Sequence, residues 1–208
     1  MLIRRLTVGM VQTNCYFLGD EGSKKAAVID PGDNGGYLAQ SLSALGYRAE
    51  MVLLTHGHFD HVDGVRDFLA EAGSMPVYLS RKDYPFCPTG FVAPSADGLG
   101  ELKEVRFLAE GDTLSLGALT IKVLETPGHT PGGLTFRVGD ALFTGDTLFA
   151  GSCGRTDFPN SSMEDMLASL RRLGELEGDF QVYPGHMGAS TLARERKINP
   201  FLRQAMGR

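Results

Sequence analysis

The sequence predicts an α/β fold of two mixed β-sheets packed face to face, with helices on the outside. Three observations carry that expectation. Strand-like and helix-like segments alternate along the 208 residues. Met51 to Thr55 is a short apolar run, as expected of a buried strand. The two halves also share a plan: several strands, a buried strand ending in a His- or Asp-bearing loop, then a helix. Two sheets with outer helices bury all of these faces at once. No linker-like stretch divides the chain, so residues 1–208 read as one domain.

The elements follow in order. Leu2 to Val8, Cys15 to Leu18 and Ala26 to Ile29 read as strands, the last two joined by the turn "GDEGS". Gly35 to Leu45 reads as a helix, with Leu38, Leu42 and Leu45 on one face and Gly46 as its stop. Met51 to Thr55 is a buried strand. Val62, Val65, Phe68, Leu69 and Ala72 keep helical spacing, and Gly73 ends that helix. Pro76 to Leu79 is a further strand. The Pro/Gly-rich segment "CPTGFVAPSADGLG", from Cys87, reads as a lid or specificity loop, its "GFVAP" serving substrate binding or a dimer contact. Thr113 to Leu116, Leu119 to Leu124, Gly133 to Val138 and Ala141 to Thr144 continue as strands. A long loop from Thr147 to Ser162 precedes a helix marked by Met163, Met166, Leu167, Leu170 and Leu173. Gln181 to Tyr183 is a last short strand, and a final helix starts near Ser190.

Composition narrows the partners. Hydrophobic residues make up 42% and charged residues 22%, ordinary for a globular chain. A net charge of −5 without a basic stripe argues against a nucleic-acid surface. No run approaches the roughly 20 apolar residues of a membrane helix, and the opening "MLIRRLTVGMVQTN" lacks a signal-peptide core. Cys15, Cys87 and Cys153 are too few and too scattered for a disulfide framework. A cytoplasmic protein acting on a small molecule is expected, with no membrane or nucleic-acid partner. The sequence carries no signature of oligomeric state.

The five histidines are the informative feature. "LLTHGHFDHVDG" holds His56, His58 and His61 with Asp60, directly after a buried strand. His129 lies in "ETPGHTPGG" and His186 in "VYPGHMG", each on a glycine-bearing loop past a strand end, and Asp146 follows a strand in "FTGDT". All five histidines thus read as loop residues past strand ends. A lone histidine is usually a surface or satisfied core residue. Chance placement of H-x-H-x-D-H in a chain of this composition, however, is on the order of one in five thousand. Three imidazoles and a carboxylate packed together also need a partner for each lone pair, which a metal provides. Imidazole and carboxylate donors suit zinc, iron or manganese, and no Cys-x-x-Cys is present to build a closed structural zinc site. His56, His58, Asp60, His61, His129, Asp146 and His186 are too many for one tetrahedral ion. They suit two divalent ions about 3.5–4 Å apart, with the two oxygens of Asp146 as the natural bridge. Zinc is the expected metal, with iron or manganese as alternatives.

"THGHFDH", "TPGHTPGG", "FTGDT" and "PGH", in this order and spacing, resemble the metallo-β-lactamase fold superfamily over most of the chain. The resemblance implies an αββα four-layer sandwich, in agreement with the two-sheet reading. It implies that His56, His58 and His129 hold one metal, that Asp60, His61 and His186 hold the other, and that Asp146 bridges them. Asp60 and Asp146 would also act in catalysis, orienting the attacking hydroxide. Asp30 in "AVIDPG" matches a buried aspartate that the superfamily places behind the metal loop; on its own it reads equally well as a turn residue before Pro31.

Within the superfamily, "TNCYFL", "GSCGRTDFP" and "RERKINPFL" resemble the small glyoxalase II-like hydrolases. That resemblance implies attack of a metal-bridging hydroxide on the carbonyl of a thioester like S-lactoylglutathione. The thiolate leaves without a strong general acid, a thiol pKa being about 8.5. Glyoxalase II itself carries a C-terminal helical domain for glutathione; here only Met187 to Arg208 follow His186, so that domain is expected to be absent. Arg155 stands where glyoxalase II has a glutathione-binding lysine. It either contacts a glutathione-derived substrate or pairs with Asp157 to order its loop. Cys153 reads as a small buried residue of a tight turn, with an approach to the metals, seven residues after Asp146, as the alternative. The "CGRTDF" turn is also similar to that of persulfide dioxygenases on this fold, which use one iron, and a lactone or ester would suit the same hydroxide. A β-lactamase is disfavoured by the missing secretion signal, and a nuclease by the missing basic groove.

Overall fold

A computed structural model describes residues 1–84, 102 and 104–208. Cys87 and the Pro/Gly-rich segment that follows it lie outside the described residues. Strands β1 (Leu2–Val8), β2 (Thr13–Asp20), β3 (Lys25–Ile29), β4 (Arg48–Leu53), β5 (Val77–Ser80) and β6 (Val105–Leu108) form one sheet in sequence order. Its first three strands are antiparallel, and β3 through β6 run parallel. The second sheet contains β7 (Thr113–Leu116), β8 (Leu119–Glu125), β9 (Leu134–Val138), β10 (Ala141–Gly145), β13 (Gln181–Pro184) and β14 (Ser190–Thr191), in the order β14-β13-β10-β9-β8-β7. Between β10 and β13, β11 (Leu148–Phe149) and β12 (Ser152–Cys153) pair as a small hairpin.

Side-chain alternation along the strands builds the layers. In β2, Tyr16 and Leu18 join the core between the sheets, while Cys15 and Phe17 face α1 (Gly35–Ala44) and α3 (Val65–Ala72). In β3, Ala27 and Ile29 point inward and Ala26 and Val28 outward. In β10, Ala141 and Phe143 enter the inter-sheet core. Leu142 packs instead under α4 (Met163–Gly174), α5 (Leu192–Ile198) and α6 (Pro200–Ala205). This is the predicted αββα sandwich. Phe136 and Phe143, both fully buried between the sheets, each contribute roughly 1.5–3 kcal/mol through burial. No helix among the described residues is long and apolar enough to cross a membrane.

Several expectations need correction. Strand β6 was not foreseen, and the loop from Thr147 to Ser162 contains the β11–β12 hairpin. The helix expected over residues 62–72 is two pieces, α2 (Phe59–Val62) and α3, broken at Gly64. A Cβ at Gly64 would come 2.5 Å from the Pro31 carbonyl oxygen, so this glycine lets the helix turn close over the Pro31–Asp33 loop. Asp60 and His61 therefore lie in a short helix and not in a plain loop. The final helix is also divided, because Pro200 cannot continue α5. Asn199 caps the new helix instead, its Oδ1 accepting from Phe201 N at 3.1 Å and Leu202 N at 3.2 Å.

Strand direction places the site. β3 and β4 are parallel, so their carboxyl ends share one edge. β8 and β10 both run antiparallel to β9, and β13 runs parallel to β10, so these three carboxyl ends share an edge of the second sheet. Backbone bonds close the two edges onto each other: Asn14 N donates to Gly185 O and Leu134 N to Thr55 O, each at 2.7 Å.

Candidate metal centre

Every residue expected to ligate a metal comes from one of those carboxyl ends. His56 and His58 follow β4, Asp60 and His61 occupy α2, and His129 follows β8. Asp146 follows β10, and His186 follows β13. The fold brings all seven together. His56, His58 and His129 form one group whose ligand atoms lie within 4.8 Å of one another, and Asp60, His61 and His186 form a second. His56, His61 and Asp146 make a third that joins the two.

Asp146 stands between the triads. Its Oδ1 is 3.5 Å from His61 Nε2, and its Oδ2 is 3.4 Å from His129 Nε2 and 3.5 Å from His186 Nε2. His61 Nε2 and Asp146 Oδ1 are buried and make no hydrogen bond. Buried polar atoms without partners are rare because each carries its full desolvation cost. A cation between them removes that cost, so the donor set fits a metal.

The outer bonds fix the donors. Asp30 is 1% exposed and holds a left-handed backbone with φ 52°. Its Oδ2 lies 2.9 Å from His61 Nδ1 and accepts from Thr55 Oγ1 at 2.7 Å, while its Oδ1 accepts from Thr55 N at 2.7 Å. A carboxylate only accepts, so His61 keeps a proton on Nδ1, and Nε2 is the nitrogen left to ligate a metal. Thr13 Oγ1 donates to Asp60 Oδ2 at 2.7 Å, and His129 Nδ1 bonds the Arg155 carbonyl at 2.8 Å. Asp30 was legible in the sequence. Thr13, Thr55 and the Arg155 carbonyl were not singled out, although Thr55 directly precedes the first ligand.

Electrostatics agree with a cation. Burial pushes His58 down to about 3, reinforced by His129 and His61. Burial and the neighbouring imidazoles hold His56 well below the ordinary value. Both are therefore neutral and ready to ligate. Burial also opposes charge on His61, but Asp30, Asp146 and Asp60 outweigh it and lift His61 to about 10. His186 is raised in the same way, by its bond to Asp60 and by Asp146. Burial raises the Asp60 carboxyl, yet His186, His61 and Thr13 overcome it and hold it well below the usual carboxylate range. The carboxylates at the base of the site thus call for positive charge, which protons on His61 and His186 supply when no cation is present.

The sequence matches the metallo-beta-lactamase superfamily over residues 8–186. The chain belongs to that superfamily. Hydroxyacylglutathione hydrolase GloC of Haemophilus influenzae is 35% identical over 211 residues, covering 97% of this chain and 98% of that protein. Among solved structures, the B3 metallo-beta-lactamase BLEG-1 superposes with a TM-score of 0.83 at 31% identity, over 97% of this chain and 99% of that one. ETHE1 from Myxococcus xanthus gives 0.80 at 29% identity, over 100% and 86%. TTHA1623 in a di-iron-bound form gives 0.78 at 34%, over 95% and 99%.

In this superfamily member a cavity of about 540 Å³ opens onto the donors, and Val11, Phe149, Phe158 and Met187 form much of its wall. Arg155 also lines it. Its guanidinium is gripped by Asp157 at 2.6 and 2.7 Å and lies 4.4 Å over the Phe158 ring. Cys153 is half-buried at the cavity, with its thiol pushed up to about 11 by burial, so it stays protonated at neutral pH. Cys15 is fully buried in the core.

Proposed function

We propose that this chain is a metal-dependent hydrolase that cleaves a thioester of the S-lactoylglutathione kind. The observation that carries the reading is Asp146, whose carboxylate reaches both triads: Oδ2 lies between His129 of the first and His186 of the second, and Oδ1 faces His61. His56, His58 and His129 would hold one divalent cation, Asp60, His61 and His186 the other, and Asp146 would serve both. Two such cations supply a nucleophilic water at neutral pH and polarise the substrate carbonyl. Zinc suits imidazole and carboxylate donors; the di-iron form of TTHA1623 supports a count of two and iron as the alternative.

The chain's own groups do the rest. Asp60, held ionised and oriented by Thr13, aligns the attacking water. Asp30 keeps His61 in the tautomer that ligates. The thiolate departs unassisted because its conjugate acid has a pKa of about 8.5. Phe149, Phe158, Val11 and Met187 exclude bulk water and receive the apolar part of the substrate. Arg155, already engaged by Asp157, keeps one edge of its guanidinium for a glutathione-derived carboxylate. A cytoplasmic setting suits the free thiols of Cys15 and Cys153.

The similarity to GloC supports a thioester. Two other substrates have specific support: a β-lactam, from the likeness to BLEG-1, and a persulfide, from the "CGRTDF" turn. Zinc- and iron-loaded protein should be assayed against S-lactoylglutathione, a chromogenic cephalosporin and glutathione persulfide with oxygen uptake, beside a His58→Ala control. Metal-dependent thioester cleavage that is lost in the control is the expected result. Oxygen uptake or lactam opening without thioester cleavage would reassign the substrate.

A further inference from the structure

We propose that Asp83 is a positioning residue that cross-braces the two histidine loops of the first triad. The inference rests on the reading of His56, His58 and His129 as ligands of one cation. Asp83 lies in the turn after β5 and is 2% exposed. Its Oδ2 accepts from Gly57 N at 2.9 Å, and its Oδ1 accepts from Gly132 N at 2.7 Å. Gly57 is the residue between His56 and His58, and Gly132 lies three residues beyond His129.

The two loops come from different sheets, one after β4 and the other after β8. Apart from the metal itself, the register of His56 and His58 against His129 depends on what joins these loops. Beside the backbone bond from Leu134 N to Thr55 O, one planar carboxylate does so, with an oxygen for each buried amide. No neutral side chain offers two acceptors in that geometry. The surroundings are shaped to admit it. A Cβ at Gly132 would collide with Asp83 Oδ1 and come 2.6 Å from its Cγ, so the glycine leaves room for the carboxylate. Bonds that orient metal ligands from behind typically change metal affinity about 10–100-fold when removed.

The prediction can be approached from both partners. Asp83→Asn keeps the shape but turns an NH₂ toward one of the two amides. Gly132→Ala keeps the carboxylate but pushes it off its seat. Asp20→Asn is the control: Asp20 also accepts two bonds within a turn, from Ser23 N at 2.9 Å and Ser23 Oγ at 2.6 Å, but at the opposite end of β2 from the site. Each protein is titrated with zinc against a chromogenic chelator, and the visible bands of the cobalt form are recorded. Both test variants should bind zinc about 10–100-fold more weakly and show altered cobalt bands, while Asp20→Asn leaves both readouts unchanged. If either test variant does not fold, the other decides. Wild-type zinc affinity and cobalt bands in the test variants, whatever their melting temperatures, would overturn the proposal. A wild-type protein that binds neither metal would overturn the ligand assignment itself, and that failure is seen before any variant is made.

Discussion

Replacing Asp30 with Asn tests whether a carboxylate behind the site sets the chemistry of a ligand in front of it. Asp30 accepts three bonds, from Thr55 N, Thr55 Oγ1 and His61 Nδ1, at 2.7, 2.7 and 2.9 Å. In Asp30→Asn the amide oxygen can keep the Thr55 N bond, and the Thr55 hydroxyl can rotate to accept from the NH₂. His61 cannot adapt so easily. Its Nδ1 would then face a donor, so the favoured tautomer moves the proton to Nε2, the nitrogen aimed at Asp146. A cation at Nε2 would then force the remaining proton onto Nδ1, against that NH₂. Loss of one buried charge-assisted bond costs about 1.5–3 kcal/mol, which lowers Tm by roughly 3–12 °C for a chain of this size. Metal affinity at the second triad should fall about 10–100-fold. Calorimetry of the metal-free protein measures the first quantity, and zinc titration against a chelator the second. Wild-type zinc affinity in Asp30→Asn would refute the tautomer argument even if Tm fell.

Three further predictions follow from the same geometry. Asp146→Asn should lower bound metal from two ions to one per chain by elemental analysis, and lower turnover about 10²–10³-fold, the size of losing one preorganised charged group; two retained ions would remove Asp146 from between the triads. Gly185→Ala would put a Cβ against Asp146 Oδ1 and 2.7 Å from His61 Cε1; overpacking of about 1–3 kcal/mol and less than full metal loading are expected, measured by urea midpoint and metal content. Glu195 is fully buried and accepts from Gly151 N at 2.6 Å, Asn199 Nδ2 at 3.0 Å and Ser190 Oγ. Glu195→Ala should therefore cost about 2–4 kcal/mol in unfolding free energy through orphaned donors; a shift below 1 kcal/mol would contradict that accounting.

The sandwich was legible because its strands are covered on both faces. Runs such as Val52 to Leu54 and Ala141 to Phe143 are buried in either direction and so read as continuous apolar segments. Strand β6 escaped notice because "VRFL" places a charged residue in a four-residue strand, too little pattern to register. The two-residue strands of the β11–β12 hairpin have no periodicity at all. The breaks at Gly64 and Pro200 carried local signals that helical spacing masked. The seven residues that the fold brings together were legible because their types are scarce and their loops distinctive. Thr13 and Asp83 were not, since Thr13 meets Asp60 across 47 residues and Asp83 meets Gly132 across 49. Pairings of that length belong to the fold and leave no mark in the local sequence.

On the proposed reading, the seven residues hold two cations with Asp146 between them. Crystals of the zinc-loaded protein, with diffraction recorded on both sides of the zinc absorption edge, test it most directly. Two anomalous peaks about 3.5–4 Å apart are expected, one among His56, His58 and His129, the other among Asp60, His61 and His186. A single peak, or a peak away from either triad, would contradict it.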